Sequence, residues 1–380
     1  MALRIAMVVG EASGDLLAAH LIRAVRQMHP EASFFGIGGP RMQAEGFDAW
    51  WPSELLSVMG YVDVIKRLPQ LFRLRRGLLR RVKQASPDVF VGVDAPDFNL
   101  SVEKRLRNAG IRTVHYVSPS IWAWRGKRVR KIGRAADHVM CLFPFEPAIY
   151  AQHGIDASYV GHPLADIFPD QVNRREVREK LLVDLDARVV AVLPGSRVGE
   201  VGRLAESMVG AIKLLLERHP GIQFLVPLIT RETRTIFEQA LISAGVPWSS
   251  VRLLFGHSHE AMSAADVVLV ASGTASLEAA LLKLPMVIAY KIGAFSYRLL
   301  RRLAYLPWVG LPNILAREFL VPELIQDDAT PEKLAGAVSA WLNDDEACKR
   351  VVARFQLLHE ELRQGNAEKA AAVVLAQARS

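Results

Sequence analysis

The stretch 265–290, ADVVLVASGTASLEAALLKLPMVIAY, admits few folds. An apolar run (Val267–Val270), a small-residue turn (Ala271–Thr274), a helical run (Ala275–Leu284) and a second apolar run (Met286–Tyr290) follow one another without a hairpin signal. Two strands joined through one helix are expected to be parallel neighbours, in a sheet covered on both faces. Ser272 or Thr274 is placed to cap the first N–H groups of the helix, and Pro285 stops it. Ser272-Gly273-Thr274 leaves no bulk over those N–H groups, so an anion can rest on the positive helix end. An ordinary strand–turn–helix without a ligand is the other reading of this stretch. Glu278, one turn in, would repel a phosphate but can accept hydrogen bonds from a ribose diol.

The alternation extends over most of the chain. Candidate strands precede it at Arg4–Val9, Ser33–Ile37, Val89–Val93, Arg112–Val117 and His138–Leu142, with candidate helices at Asp15–Met28, Val62–Lys83, Asp97–Asn108 and Pro144–Gln152. A second series adds strands at Val189–Leu193, Gln223–Val226 and Arg252–Phe255, and the pattern is helical from Pro331 onward. This predicts the α/β class: two Rossmann-like, doubly wound domains facing each other across a cleft, with ligands at the carboxyl ends of strands. Gly161–Arg174, richer in Pro, Asp and Asn, is the expected link. The expected domains are 1–165, 166–345, and a helical tail, 346–380, that can cross back onto the first.

With 380 residues, 51% of them hydrophobic, the chain has material for two cores. Cys141 and Cys348 fit no zinc or redox spacing and suit a reducing compartment. The first apolar run is too short for a secretory leader and meets Glu11 and Asp15 at once. No run reaches the ~18–20 apolar residues of a membrane span. The expectation is a cytoplasmic protein, soluble or attached to a membrane surface. A formal charge of +8, from 47 basic and 39 acidic residues, suits anionic substrates, an anionic bilayer face or nucleic acid. The densest basic stretch, Val64–Lys83, holds eight basic residues and no acid. There Leu68, Leu71 and Phe72 with Arg73, Arg75 and Arg76 read as an interfacial membrane contact. A solvated basic face on a helix packed against its own domain is the alternative. Phe295–Trp308 has the same character, and no recognised module points to nucleic acid, so none is expected.

Four further loops sit where strands end. In Gly10-Glu-Ala-Ser-Gly-Asp15, Asp15 is the expected helix N-cap. Glu11 has no capping position and is placed to bind sugar hydroxyls, or else is structural. In Gly92-Val-Asp94-Ala-Pro-Asp97-Phe-Asn, Asp97 again reads as an N-cap. Asp94 leaves a buried strand and can accept a hydroxyl proton as that oxygen attacks an electrophile; ordering its own loop is the alternative. Trp122, Trp124 and Arg125, with Lys127 and Arg128, offer a platform for sugar or acyl chains beside an anion, unless the tryptophans are interior packing. Gly195-Ser196-Arg197 repeats the small-residue turn before a helix and adds a guanidinium matched to phosphate oxygens. His257 and His259 lack a third ligand, so no metal is expected. His162 is assigned no chemistry.

The motifs GEASGD, GVDAPDFN, HYVSPSIWAWR, VGHPLAD, LPGSRVGEV, ASGTASLEA and LPNILA run in order from residue 10 to 316. Together they resemble the lipid-A-disaccharide synthase family of GT-B glycosyltransferases. The resemblance implies transfer of a 2,3-diacylglucosamine unit from UDP-2,3-diacylglucosamine to 2,3-diacylglucosamine 1-phosphate, without a cofactor, at the anionic cytoplasmic face of the inner membrane. It puts Glu11 and Asp94 on the acceptor and catalytic side, to which the reading of the loops adds Ser13, Trp122, Trp124 and Arg125 toward the acceptor. It puts Arg197, Glu278 and Asn313 on the UDP side, where the reading of the two small-residue turns adds Gly195, Ser196, Ser272, Gly273 and Thr274. The family usually continues LPN-type motifs with Ala-Gly-Arg-Glu, whereas Ala316 here precedes Arg317-Glu318-Phe319, which leaves Arg317 and Glu318 without an assigned role. A UDP-N-acetylglucosamine 2-epimerase-like isomerase and a non-catalytic nucleotide-sugar or lipid-binding protein are the competing functions. Oligomeric state stays open, a homodimer included.

Overall fold

The computed structural model describes residues 3–56, 61–122, 126–294, 297–298 and 305–379, with backbone alone for 61–67 and 127. The chain divides into two compact units, one ending at Asp166 and resuming at Glu361, the other running from Ile167 to Glu360.

Among the described residues the first unit is built on seven parallel strands: β1 (Arg4–Val9), β2 (Ser33–Gly38), β3 (Asp48–Pro52), β4 (Val89–Val93), β5 (Arg112–Tyr116), β6 (His138–Cys141) and β7 (Ala157–Tyr159). Their order is β3-β2-β1-β4-β5-β6-β7. The period-two alternation of β1 sends Ile5, Met7 and Val9 to one face and Ala6 and Val8 to the other. On the first face lie α1 (Ala12–Met28) and, from the far end of the chain, α9 (Asn366–Arg379), through Ala370, Ala371, Val374 and Leu375. On the second lie α2 (Tyr61–Ala85), through Leu74, Leu78 and Val82, and α3 (Pro96–Arg107), through Val102 and Leu106. The spacing of four in this trio and in this pair is one helical face.

The second unit repeats the plan with six strands: β8 (Val189–Leu193), β9 (Gln223–Leu228), β10 (Val251–Phe255), β11 (Val267–Ala271), β12 (Met286–Tyr290) and β13 (Glu323–Ile325), in the order β10-β9-β8-β11-β12-β13. Val190 and Val192 pack with α4 (Val198–Arg218), α5 (Arg231–Ala244) and α7 (Pro331–Asn343). The helix after β11 is α6 (Thr274–Leu281), and α8 (Asp345–Leu362) leads the chain back to the first unit.

The parallel, doubly wound class expected from the alternation is the one observed. The central strands lie within two residues of their expected ends, whereas β3, β7 and β13 were not anticipated. All three are edge strands of intermediate burial, so they lack the continuous apolar run of a strand covered on both faces. Two expected caps were also wrong. Helix α1 begins at Ala12, which leaves Glu11 at the N-cap position without a side-chain cap bond. Asp15 is buried inside the first turn, where its carboxylate accepts from the N–H groups of Gly39, Arg41 and Met42 at 3.0–3.1 Å. It thus caps the short helix Pro40–Ala44 rather than its own. Likewise Ala95 holds the N-cap position of α3, and Asp97 lies in the first turn, ion-paired with Arg128. The helix expected over Ala275–Leu284 ends at Leu281, and Lys283 takes a left-handed conformation (φ 58°) before Pro285.

The return of the tail is held by polar contacts as well as packing. Tyr116 Oη donates to Asn366 Oδ1 at 2.5 Å, Asn366 Nδ2 to the Gly161 carbonyl at 2.9 Å, and the Asn366 N–H to Asp166 Oδ2 at 2.6 Å.

Glu146, 1% exposed, accepts from the Phe143 N–H at 3.0 Å and from Trp122 Nε1 at 3.1 Å. Burial is the largest influence on its carboxyl and pushes it up to about 7 from 4.5. The folded chain therefore holds a proton that the unfolded chain has released. This contribution to stability is complete below the unfolded value and is lost as pH rises through about 7. It amounts to about 3 kcal/mol. Glu146→Gln, which cannot titrate and keeps one of the two acceptor contacts, should gain about 3 kcal/mol relative to the parent chain as pH rises from about 4.5 to 8, read from urea unfolding. A constant difference over that range would show that Glu146 titrates normally in the fold.

Candidate active site

In a doubly wound sheet the crevice opens where neighbouring strands send their connections to opposite faces. In the second unit that place lies between β8 and β11, and the two small-residue turns leave there. Gly195 has φ +116°, and a Cβ on it would sit 2.8 Å from Glu200 Cβ and Oε2, so both conformation and space require glycine. The chain then enters α4 with Ser196 and Arg197 N–H groups pointing at one carboxylate: Glu200 Oε2 accepts from them at 3.2 and 3.3 Å, and Glu200 Oε1 meets Arg197 Nη1 at 3.2 Å. Opposite, Gly273 (φ +153°) holds the N-cap position of α6, whose first turn has no side-chain cap. Neither Ser272 nor Thr274 caps this helix, contrary to expectation; Ser272 Oγ donates to the Val309 carbonyl at 3.3 Å. Gly195, Ser196, Arg197, Ser272, Gly273, Thr274 and Glu278 line one cavity of about 380 Å³. Burial raises the Glu278 carboxyl above its usual range.

Asn313 does not reach that cavity. It is fully buried, its Nδ2 donating to the Val321 carbonyl (2.9 Å) and Glu323 Oε1 (2.8 Å), its Oδ1 accepting from the Leu320 (2.9 Å) and Val321 (3.0 Å) N–H groups. Glu323 in turn accepts from the Val309 and Gly310 N–H groups at 2.8 and 2.9 Å. Asn313 therefore acts on the cavity at one remove, through Glu323 and the 309–310 loop to Ser272. Sequence reasoning missed Glu323, which sits on an edge strand without a motif, and gave Glu200 no role although it stands at the third helical position after the turn.

In the first unit the switch falls between β1 and β4, where Gly10-Glu11 and Asp94 emerge. A Cβ on Gly10 would lie 2.8 Å from Ala95 Cβ, so glycine lets the two loops meet. Asp94 and Glu11 line a cavity of about 430 Å³ whose other walls include Leu68, Leu71, Phe72 and Arg75. Arg75 lies over the Phe72 ring at 4.7 Å and donates from Nη1 to Ser101 Oγ at 3.0 Å. Asp94 also borders a second cavity, of about 390 Å³, with Ser118, Ser120 and Arg128. Leu68 and Phe72 are 40% and 55% exposed, and Arg73 and Arg76 point to solvent away from the cavity.

The remaining expectations fall elsewhere. Ser13 is exposed on the first turn of α1, outside the cavities described. Trp122 is half-buried, edge-on to Phe143 and Phe145 and bonded to Glu146, so it serves packing within its unit. Trp124, Arg125 and most of Phe295–Trp308 lie outside the described residues. His162 is buried against Phe143, which lowers its imidazole to about 4. His257, at the N-cap position of Ser258–Ala264, pairs with Glu260 at 3.0 Å, and His259 meets the Phe168 ring edge-on.

The family model for lipid-A-disaccharide synthetase matches residues 5–377. The lipid-A-disaccharide synthase of Aromatoleum aromaticum is 63% identical over 375 residues, covering 99% of this chain and 96% of the relative. That of Dechloromonas aromatica is 56% identical, covering 98% of each. Among solved structures, a putative UDP-N-acetylglucosamine 2-epimerase of Listeria monocytogenes superposes with a TM-score of 0.68 at 12% identity, over 99% of this chain and 95% of that one. MurG of Acinetobacter baumannii gives 0.60 at 14% identity, over 99% and 100%. Identities this low show a shared fold alone, the GT-B architecture. With a family match over nearly its whole length, the chain is a hexosyltransferase of lipid A biosynthesis and belongs to the lipid-A-disaccharide synthase family.

Proposed function

We propose that the chain transfers a 2,3-diacylglucosamine unit from its UDP donor to the 6-hydroxyl of 2,3-diacylglucosamine 1-phosphate, in a single inverting displacement that yields a β-1′,6-linked disaccharide and UDP. The observation that carries this is the setting of Asp94: a carboxylate at the carboxyl end of β4, in a cavity that joins Glu11, Asp97 and Arg75 to apolar walls of Leu56, Leu68, Leu71, Phe72 and Phe98. An acylated sugar needs both surfaces at once. Asp94 takes the acceptor hydroxyl proton as that oxygen attacks the anomeric carbon. Glu11, at the same wall, accepts hydrogen bonds from sugar hydroxyls.

The cavity of the second unit, lined by Gly195–Arg197 and Ser272–Thr274, suits the leaving group. Negative charge grows on the diphosphate as the bond to the anomeric carbon breaks. Arg197 and the N–H groups of the two turns are placed to receive it once Glu200 gives way, and donors already aimed at growing charge supply the larger part of such stabilisation. Glu278 is placed to accept from the ribose diol. Glu200 holds the N–H groups of Ser196 and Arg197 through contacts of 3.2–3.3 Å, long enough to yield to a diphosphate that offers more negative charge. In the bilayer reading, the outward residues of α2, Phe72 and Leu68 with Arg73 and Arg76, rest on the anionic inner-membrane surface and bring the acyl chains to the cavity. On this view the enzyme works at the cytoplasmic face.

Two measurements test the assignment. Asp94→Asn should lower kcat for UDP release in the presence of acceptor by on the order of 10²–10⁴-fold, with UDP affinity unchanged in calorimetry. Full turnover by that variant would remove Asp94 as the base, and equal UDP release without acceptor would favour an isomerase or hydrolase instead. Glu200→Gln should tighten UDP binding by about three- to tenfold, more at low salt than at high, because one competing negative charge leaves the nest. Weaker binding would mean that Glu200 shapes the turn rather than competing for it.

A further inference from the structure

The motif Gly92–Asn99 contributes one side chain to the chemistry above, yet three of its other residues are built into an arrangement that packing alone does not require. Asp94 and Ala95 both adopt left-handed conformations, φ 50° and 42°. Two consecutive non-glycine residues there cost free energy and persist only where their surroundings over-determine them. The strained pair carries the carboxylate assigned as the base.

The restraint comes from below. Asn99 is fully buried, and its Nδ2 donates to the carbonyl of Asp94 at 2.8 Å and, at 3.3 Å, to those of Val93 and Val8. Its own N–H donates to the Ala95 carbonyl at 3.0 Å. One amide thus ties both strands of the switch point and both sides of the left-handed turn. One helical turn on, Glu103 Oε1 meets His115 Nδ1 of β5 at 2.7 Å, with both side chains at zero exposure. That pair fixes the seat of α3 on the sheet, and Asn99 shares the helix face of Glu103. Gly92 makes room: a Cβ there would lie 2.1 Å from Glu103 Oε1 and 3.0 Å from Asn99 Cβ. A buried polar cluster leaning on a glycine in a central strand is costly, and Asn99 Oδ1, Glu103 Oε2 and His115 Nε2 have no partner among the described residues.

We infer that Asn99 is a positioning residue for the transfer reaction: its side-chain amide holds the Asp94–Ala95 turn in the left-handed conformation that aims the Asp94 carboxylate, with Glu103–His115 setting the helix that carries it. This rests on Asp94 being the base. The role is orientation, so it belongs to kcat rather than to nucleotide binding.

The test uses the full chain, with acceptor-dependent UDP release for kcat and calorimetry for UDP. Asn99→Ala should lower kcat by about 100-fold, the scale of a misplacement near 1 Å, with UDP affinity unchanged. Adding Ala95→Gly, which removes part of the conformational cost, should recover about tenfold of that loss. Asn99→Ser, which keeps one donor, should fall between, and serves if Asn99→Ala does not fold. Leu106→Ala, a core truncation on the same helix, should lower the melting temperature while leaving kcat near the parent value. Full kcat in Asn99→Ala with Asp94→Asn inactive would overturn the inference and spare the base. Full kcat in both would overturn the base and the inference together. An equal kcat loss in Leu106→Ala and Asn99→Ala, with no recovery from Ala95→Gly, would reduce Asn99 to a structural part.

Discussion

Neighbouring parallel strands whose connections leave toward opposite faces cannot close over their own carboxyl ends. Both candidate sites of this chain follow from that arrangement occurring twice, between β1 and β4 and between β8 and β11. Backbone groups at such a place have no strand to pair with and no helix above them, so what they meet is decided by the few residues of the turn. The two units meet this constraint in opposite ways. The second uses glycine and serine to bare N–H groups and places a glutamate of its own on them. The first brings two acidic loops together through Gly10 and Ala95, and holds one of them in a conformation that its residues do not prefer.

This contrast explains a division of chemistry that charge counting could not. The net positive charge does not concentrate on both sites. Arg197 stands at the nest, while the Asp94 cavity has carboxylates, one guanidinium and apolar walls. A phosphate is suited to the former and an acylated sugar hydroxyl to the latter. Helix α2 shows how one amphipathic pattern can serve two purposes. Leu74, Leu78 and Val82 face the sheet, and Leu68, Leu71 and Phe72, one to two turns earlier, line the cavity.

Much of the fold was legible because central parallel strands are apolar on both faces, and the chain announces their ends by switching to Gly, Ser, Asp and Arg. The turns at those ends were legible for the same reason, down to Asp94 and Gly195–Arg197. What escaped was decided by distant partners. Asp15 and Asp97 look like local caps, but one is taken by the backbone at Gly39–Met42 and the other by Arg128. The edge strands β3, β7 and β13 are half-exposed and carry no apolar run. Asn313 came to notice through its motif rather than its surroundings, and the structure gives it an internal task with Glu323, ten residues away on an edge. The tie between Asn99 and the carbonyl of Val8 joins residues 91 apart, beyond any pattern of spacing.

The last helix completes a core that the first strand begins. Ala370, Ala371, Val374 and Leu375 belong to the same apolar cluster as Ile5, Met7 and Val9. On the ribosome, then, the first unit must wait: its sheet emerges early but one face stays only partly covered, by α1, until residues 366–379 follow, while the intervening unit has all of its own parts sooner. The order of translation and the order of maturation are reversed, and a stop codon just before residue 366 would injure the unit that was made first.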